Sequence, residues 1–305
     1  MDSPQIKASI DIGTNSVLLL VATISNGSIE VLDEQQEVPR LGRGVDMDKN
    51  LHPESCKRVI QVLNRYMAYL TDNFPSVVDK VVVTATSAVR DSANREEFLN
   101  QIYNETGWRV QLLSGREEAE TTYRGAISVL DNQSDNFVVL DIGGGSTEIA
   151  IGKQLELKRG VSVDMGSVRF SERYLKSDPP STAQIEEVRV EVRRLLKAET
   201  VDPGNHTLVG VAGTVTSIAA ILIGLDDYDS EKINGFRLKK QFIKKFIDEF
   251  SVISSAEIER KYSPFLTGRG DVITGGLIIL YEFMEYFGFE ELTVSTGGIR
   301  HGILL

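Results

Sequence analysis

The sequence predicts an α/β protein of two domains, each a mixed sheet flanked by helices, with its ligand site in the cleft between them. Three observations predict it. A strand–turn–strand hairpin occurs twice, in Ser9 to Ala22 (SIDIGTNSVLLLVA) and Phe137 to Gly152 (FVVLDIGGGSTEIAIG), with Asp11 and Asp141 130 positions apart. Such a duplication is the signature of a repeated architecture. Short apolar runs alternate with stretches of helical periodicity along the chain. Four glycine-bearing loops each follow an apolar run: around Gly13, Gly143–Gly145, Gly213 and Gly297–Gly298.

In the second hairpin Asp141 ends one apolar run and Glu148 opens the next. Between them stand Gly143, Gly144, Gly145, Ser146 and Thr147. Glycines let backbone N–H groups close on an anion. Strand alternation places side chains on one face only in steps of two, so the turn is what brings Asp141 and Glu148 to one place. Two carboxylates beside a phosphate cradle suit a hydrated Mg²⁺ or Mn²⁺. In the first hairpin, Asp11, Gly13, Thr14, Asn15 and Ser16 hold the corresponding positions. A single hairpin of this kind reads equally well as an ordinary β-turn; the second copy makes the case for phosphate binding.

Length and composition set bounds. The 305 residues suffice for two domains, and 41% hydrophobic with 25% charged residues is a globular balance. A single cysteine, Cys56, excludes a disulfide framework or a cysteine metal site. No apolar run reaches the ~20 residues of a membrane span, and the start MDSPQIKASID has no signal-peptide features. A cytoplasmic protein without a membrane partner is expected. A net charge of −11 argues against a nucleic-acid partner, so any polyanionic substrate must be met by local arginines and a metal.

In order, residues 6–24 form the first hairpin, Asn26-Gly27 a turn, and Ile29–Leu32 a third strand. Val38 to Leu51 reads as loop. Pro53 starts a helix to Leu70, with Cys56 in its first turn as a structural thiol. Lys80–Thr84 is a strand leading to Arg90, just past its carboxyl end, where open sheets bind ligands. After the strand Arg109–Leu113, a helix runs from Ser114 to Leu130. Ser114 caps it with Glu117 as a capping box, while Glu118 is left for another role. Asp131–Asn136 is a polar linker, and the two domains are expected over 1–125 and 126–305. In the second domain Gly166 and Ser167 form a turn followed by Arg169. Ser181–Glu199 is a helix whose Arg193, Arg194 and Lys197 form a solvated face. Leu208–Val211 feeds Gly213 and Thr214 at a helix start, a strand–turn–helix form suited to phosphate or nucleotide. Lys239–Phe250 and Val272–Tyr286 are further helices. Leu292–Ser295 is the last strand, and a final helix from Ile299 is free to return to the first domain. His52, His206 and His301 lack metal-ligand spacing.

The order of these loops resembles the actin-like superfamily. Within it the chain resembles the exopolyphosphatase/guanosine pentaphosphate phosphatase family through IDIGTNSVLLLVA, RLGRGVD, TATSAVRDSANREEFL, SGREEAETTYRGA, LDIGGGSTEIAIG, VGVAGTVTSIAAI, GRGDVITGGLIIL and VSTGGIRHGIL, spread from residue 9 to residue 304. The resemblance implies two actin-like (ribonuclease H-like) domains with five-stranded mixed sheets. It implies Glu118 as general base, Arg90 as a phosphate-gripping arginine, and Asp141 and Glu148 as metal carboxylates. Asp11, Gly13, Thr14, Asn15 and Ser16 would form one phosphate loop and Gly143 to Thr147 the other. A homodimer through the second domain is also implied. Two departures stand out. Leu18 occupies a place where the family usually carries Arg or His, which removes one phosphate contact. The chain also ends at Leu305 without the helical domains of longer members, so distributive rather than processive cleavage is expected.

The residues support this chemistry independently. Hydrolysing a terminal phosphoanhydride needs an in-line water, neutralised phosphoryl oxygens and a stabilised leaving phosphate. Glycine-loop N–H groups with Mg²⁺ supply the latter two, and Glu118 the first. The expected activity is an exopolyphosphatase releasing orthophosphate, with guanosine pentaphosphate 5′-phosphohydrolase as the alternative. An ATP-dependent sugar or acid kinase, through Ala212-Gly213-Thr214, and a non-enzymatic assembly protein stay open.

Overall fold

A computed structural model describes residues 4–25, 27–131 and 136–305. Asn26 of the expected turn and residues 132–135 of the expected linker lie outside the described residues. The chain divides into two compact units, Met1–Ser128 with Gly297–Leu305, and Val129–Thr296. The domain boundary expected at 125/126 falls inside a helix of the first unit.

The first unit opens with β1 (Gln5–Ile12), β2 (Val17–Ser25) and β3 (Ser28–Glu37), an antiparallel meander. β3 is far longer than the expected 29–32, because its polar residues pair with β2 along its whole length and show no apolar pattern. The expected loop contains one helical turn, α1 (Val45–Asp48). Then come α2 (Pro53–Asn73), β4 (Val82–Ala85), α3 (Ser87–Arg90), α4 (Arg95–Thr106), β5 (Val110–Leu112) and α5 (Gly115–Ser128). The sheet order is β3-β2-β1-β4-β5, with β4 and β5 parallel to β1. Ile10, Ile12 and Leu19 of the sheet pack with Val59, Leu63 and Tyr66 of α2. Pro53 at the first position of α2 loses no hydrogen bond there. Cys56 is buried in this layer, and desolvation pushes its thiol up to about 11, as a structural thiol requires.

The second unit repeats the plan with β6 (Asn136–Ile142), β7 (Thr147–Lys153), β8 (Glu156–Val163), α6 (Ser167–Tyr174), α7 (Thr182–Leu196), β9 (Thr207–Val211), α8 (Ala212–Ile223), α9 (Ser230–Ile233), β10 (Arg237–Lys239), α10 (Lys240–Phe250), α11 (Ser255–Lys261), α12 (Ile273–Phe287) and β11 (Glu291–Val294). Its order is β10-β11-β9-β6-β7-β8. The run β8-β7-β6-β9-β11 reproduces the first sheet strand for strand, and β10 adds a sixth strand where five were expected. α12 is almost wholly apolar, and Leu277, Ile278 and Phe283 fill the core of this unit. Arg193 has the exposed side chain expected of a solvated face, and it also reaches inward. Its Nε donates to Oε2 of Glu282 at 2.5 Å, and Arg189 stands 3.4 Å from Oε1. Glu282 is buried within α12, and a buried carboxylate is stable only when a cation accompanies it. Arg194 does stay at the surface, paired with Glu191.

The last element, α13 (Ile299–Gly302), is a single turn belonging to the first unit, where it packs on α5 and β1. Among the described residues no helix is long and apolar enough to cross a membrane.

Candidate active site

In the first unit Asp11 ends β1, opposite Leu18 of β2 and beside Thr84 of β4. The Thr84 hydroxyl donates to Asp11 Oδ1 at 3.2 Å. The turn that follows is closed from inside by Gly13 N–H donating to the Ser16 carbonyl, 2.9 Å. It is braced from outside by the 40–42 segment: Gly42 N–H donates to the Thr14 carbonyl (2.8 Å) and Arg40 N–H to the Asn15 carbonyl (3.0 Å). A trans peptide points its C=O and N–H in opposite directions, so the N–H groups of Asn15 and Ser16 face away from this brace. Only glycine fits at position 42, since a Cβ there would lie 2.2 Å from Thr14 Cγ2. The carboxamide of Asn15 is buried, and neither Oδ1 nor Nδ2 finds a partner among the described residues. Such an orphan is costly and calls for a partner from outside the chain, a water or a polar ligand.

Thr14 Oγ1 lies 3.0 Å from Ser87 Oγ, which ties the turn to α3. α3 carries Arg90, whose Nη1 donates to Glu118 Oε2 at 2.8 Å and to the Leu113 carbonyl at 2.9 Å. Glu118, in the first turn of α5, is buried. Arg90 and Glu118 were read from sequence as separate groups; the structure makes them an ion pair in which the guanidinium aims the carboxylate. Glu117 beside it is exposed and caps the helix: Ser114 N–H donates to its Oε2 (2.8 Å), and its own N–H donates to Ser114 Oγ (3.3 Å). The Ser114 hydroxyl and N–H hold the Glu117 carboxyl below its ordinary pKa. Two adjacent glutamates therefore have different work, one at the helix end and one in the interior.

In the second unit Asp141 and Glu148 pair directly across β6 and β7, and both are buried. Like charges directly opposite destabilise a hairpin unless something neutralises them. Ser162 of β8 donates to Glu148 Oε1 at 2.6 Å. The turn repeats the internal bond, Gly143 N–H to the Ser146 carbonyl, 3.0 Å. Here the brace is α6. Ser167 N–H donates to the Gly143 carbonyl (2.9 Å), and the N–H groups of Val168 and Arg169 donate to the Gly144 carbonyl (2.9 and 3.0 Å). Arg169 Nε donates to the Gly145 carbonyl (2.5 Å). With three successive carbonyls turned to α6, the N–H groups of Gly144, Gly145 and Ser146 turn away from it, a concave array suited to an anion. The Thr147 hydroxyl donates to the Met165 carbonyl at 2.5 Å in the interior, so it braces the loop.

The third loop enters α8 through Ala212, whose φ of 67° is left-handed, a strained conformation for a residue with a Cβ. It exposes the backbone of Gly213 to Arg269: a Cβ on Gly213 would lie 1.8 Å from Arg269 Nη1. The Arg269 residue keeps some solvent exposure, but its guanidinium is packed here, and desolvation lowers its pKa from the ordinary value. Thr214 is buried against Gly276 of α12.

Asp141 and Glu148 fit a hard divalent cation. They offer oxygen donors from neighbouring positions, and a Mg²⁺ held by one or two carboxylates keeps several of its own waters. Among the described residues no group of three or more His, Cys, Asp or Glu gathers as a closed metal cage.

Sequence reasoning missed Ser162, Arg169, Arg269 and the 40–42 brace as parts of these sites. Their signals were the Gly-Ser turn before Arg169 and the glycines of RLGRGVD and TGRGD, without partners assigned to them.

Comparisons with known proteins identify the family. The Ppx/GppA phosphatase family matches residues 20–305. The chain is 34% identical to exopolyphosphatase 2 of Mycobacterium tuberculosis over 98% of this chain and 97% of that protein. It is 32% identical to a bifunctional 3-dehydroquinate synthase/phosphatase of Fusobacterium nucleatum, over 98% of this chain but 46% of that longer protein. The crystal structure of the Aquifex aeolicus family member superposes with a TM-score of 0.81 at 31% identity, over 99% of this chain and 97% of that one. The repeated sheets, the two glycine hairpins and these relatives together place the chain in the Ppx/GppA phosphatase family, with the actin-like fold of that family.

Proposed function

We propose that this protein is an exopolyphosphatase that hydrolyses the terminal phosphoanhydride of inorganic polyphosphate and releases orthophosphate. The observation that carries the reading is the second hairpin, where Asp141 stands opposite Glu148 beside three N–H groups turned outward by α6. A divalent cation held by these two carboxylates would neutralise charge on the phosphoryl oxygens. The chain's own groups do the rest. The outward N–H groups of Gly144, Gly145 and Ser146, with those of Asn15 and Ser16, bind phosphate oxygens. Arg90 aims Glu118, and Glu118 orients the water and takes its proton. In this reading the water attacks directly, without a covalent intermediate on the protein.

Guanosine pentaphosphate is the second reading, favoured by the third loop, where Gly213 at a helix start meets the Arg269 guanidinium. One assay decides: incubate the protein with polyphosphate, guanosine pentaphosphate, or ATP plus sugars, each with Mg²⁺, and follow orthophosphate and ADP. Orthophosphate from polyphosphate is expected. ADP formed only in the presence of a sugar would transfer the site to a kinase.

A further inference from the structure

We propose that Arg169 is a positioning residue for phosphate binding: from within α6 its guanidinium fixes the Gly145 peptide, so that the Ser146 N–H is presented to a phosphate anion. The inference rests on reading the second hairpin as a phosphate loop.

The two hairpins need this brace to different degrees. In the first, the residues between Gly13 and Ser16 are Thr14 and Asn15, whose Cβ atoms restrict their own backbone. In the second they are Gly144 and Gly145, which follow Gly143 and have no such preference. A run of three glycines does not hold a peptide plane by itself. At the first two carbonyls of the second loop, backbone N–H groups of Ser167, Val168 and Arg169 supply the hold. At the third, Gly145, the bond comes from a side chain, Arg169 Nε at 2.5 Å. The matching carbonyl of the first hairpin, Asn15, is held by the backbone N–H of Arg40, a bond independent of the side chain at that position.

The residue is costly where it stands. Arg169 is 8% exposed, and its Nη2 lies 3.9 Å from an Asp164 side chain that is 79% exposed. The bond from its Nε to the Gly145 carbonyl is charge-assisted, and such bonds are shorter and stronger than neutral ones. The tight approach of α6 permits it: a Cβ on Gly166 would lie 2.4 Å from the Gly144 carbonyl oxygen, so only glycine brings the helix this close.

The test uses the full chain with Mg²⁺ and tripolyphosphate as probe, measuring calorimetric affinity, kcat and KM, and thermal unfolding for the wild type, Arg169→Lys, Arg169→Met and Arg169→Ala. Loss of one charge-assisted bond predicts that Arg169→Met weakens binding and kcat/KM about 10- to 100-fold, with Arg169→Lys between it and the wild type. Guanidinium ion added at low millimolar concentration restores part of the activity of Arg169→Ala. A methionine variant that binds and turns over like the wild type overturns the proposal. So does a loss that follows the melting temperatures and is not restored by guanidinium, since Arg169 would then act by packing alone. If Arg169→Ala does not fold, the lysine and methionine variants decide. A wild type that neither binds nor hydrolyses the probe removes both this inference and the phosphatase reading. An active wild type with an indifferent methionine variant removes this inference only.

Discussion

At the position where the second hairpin sets Asp141 against Glu148, the first sets Asp11 against Leu18. Both turns keep the same internal bond, from the glycine N–H to the serine carbonyl three residues along the motif, at 2.9 and 3.0 Å. Duplication has thus preserved the turn and changed its cross-strand partner. The second hairpin has paired carboxylates, the donor set proposed for a cation. The first has one, already accepting from Thr84, and is tied through Ser87 to the helix bearing Arg90. The difference teaches how one motif, once copied, diverges in charge: paired carboxylates in one unit, and in the other a single carboxylate on a turn tied to the helix of Arg90.

The largest expected effect is at the proposed base. Glu118→Gln keeps the shape of the side chain but cannot take a proton, so turnover should fall about 10²–10⁴-fold in steady-state hydrolysis of tripolyphosphate. A normal rate would move the base elsewhere and leave the Arg90–Glu118 pair as a structural contact. On the other side, Asp141→Asn and Glu148→Gln should each cost on the order of 10²-fold, with Asp11→Asn costing less, about tenfold. A Mg²⁺ titration tests this, and full activity of either second-hairpin variant in excess chelator would end the assignment.

His301 separates the units by pH. It lies in α13 of the first unit, and burial, aided by the neighbouring Arg300 charge, pushes its pKa down to about 3. The depressed value means that the unfolded chain binds this proton more readily. The contribution is therefore fully present above the ordinary histidine value of 6.5 and is lost as pH falls from there towards 3, at up to about 1.4 kcal/mol per pH unit. Hydrogen exchange at pH 7 and pH 5 should show β1 and α5 loosening before β6 and β9; uniform loosening would contradict it.

Leu18→Glu makes the first hairpin imitate the second. Two carboxylates face to face should lower stability by about 1 kcal/mol in denaturant unfolding. If Mg²⁺ restores the loss, the first hairpin also accepts a cation and the division of labour is less sharp than drawn here. The smallest effect belongs to Glu117→Gln. As an exposed capping residue it should lower the melting temperature slightly and leave turnover unchanged; a large loss of turnover would mean that the two glutamates have been exchanged.

Legibility in the sequence followed distance along the chain. Asp141 and Glu148 could be brought together because strand alternation and one short turn fix their relation. The Ser114–Glu117 cap was readable because it spans three residues. The Arg90–Glu118 pair was not, because its two members come from different helices and meet only when β4 and β5 lie side by side. Arg169 was visible as a residue after a turn, but not the carbonyl it would find 24 positions back. Arg193 was read correctly as solvated, but its ion pair was hidden because the helical period of α7 says nothing about a buried glutamate 89 positions away. Most of β3 was hidden because its strand character lies in its pairing with β2 and not in its own side chains.

The close seating of α13 bears on the order in which the molecule is made. A Cβ on Gly125 would lie 2.0 Å from the Gly298 carbonyl oxygen, and one on Gly302 would lie 1.9 Å from that of Thr121, so α13 and α5 meet backbone to backbone. α5 is the helix that carries Glu118. All of the second unit, Val129–Thr296, leaves the ribosome before the residues that complete the first. The half synthesised first is thus completed after the other, and the helix that holds the proposed base gains this neighbour only after the second unit has had time to fold.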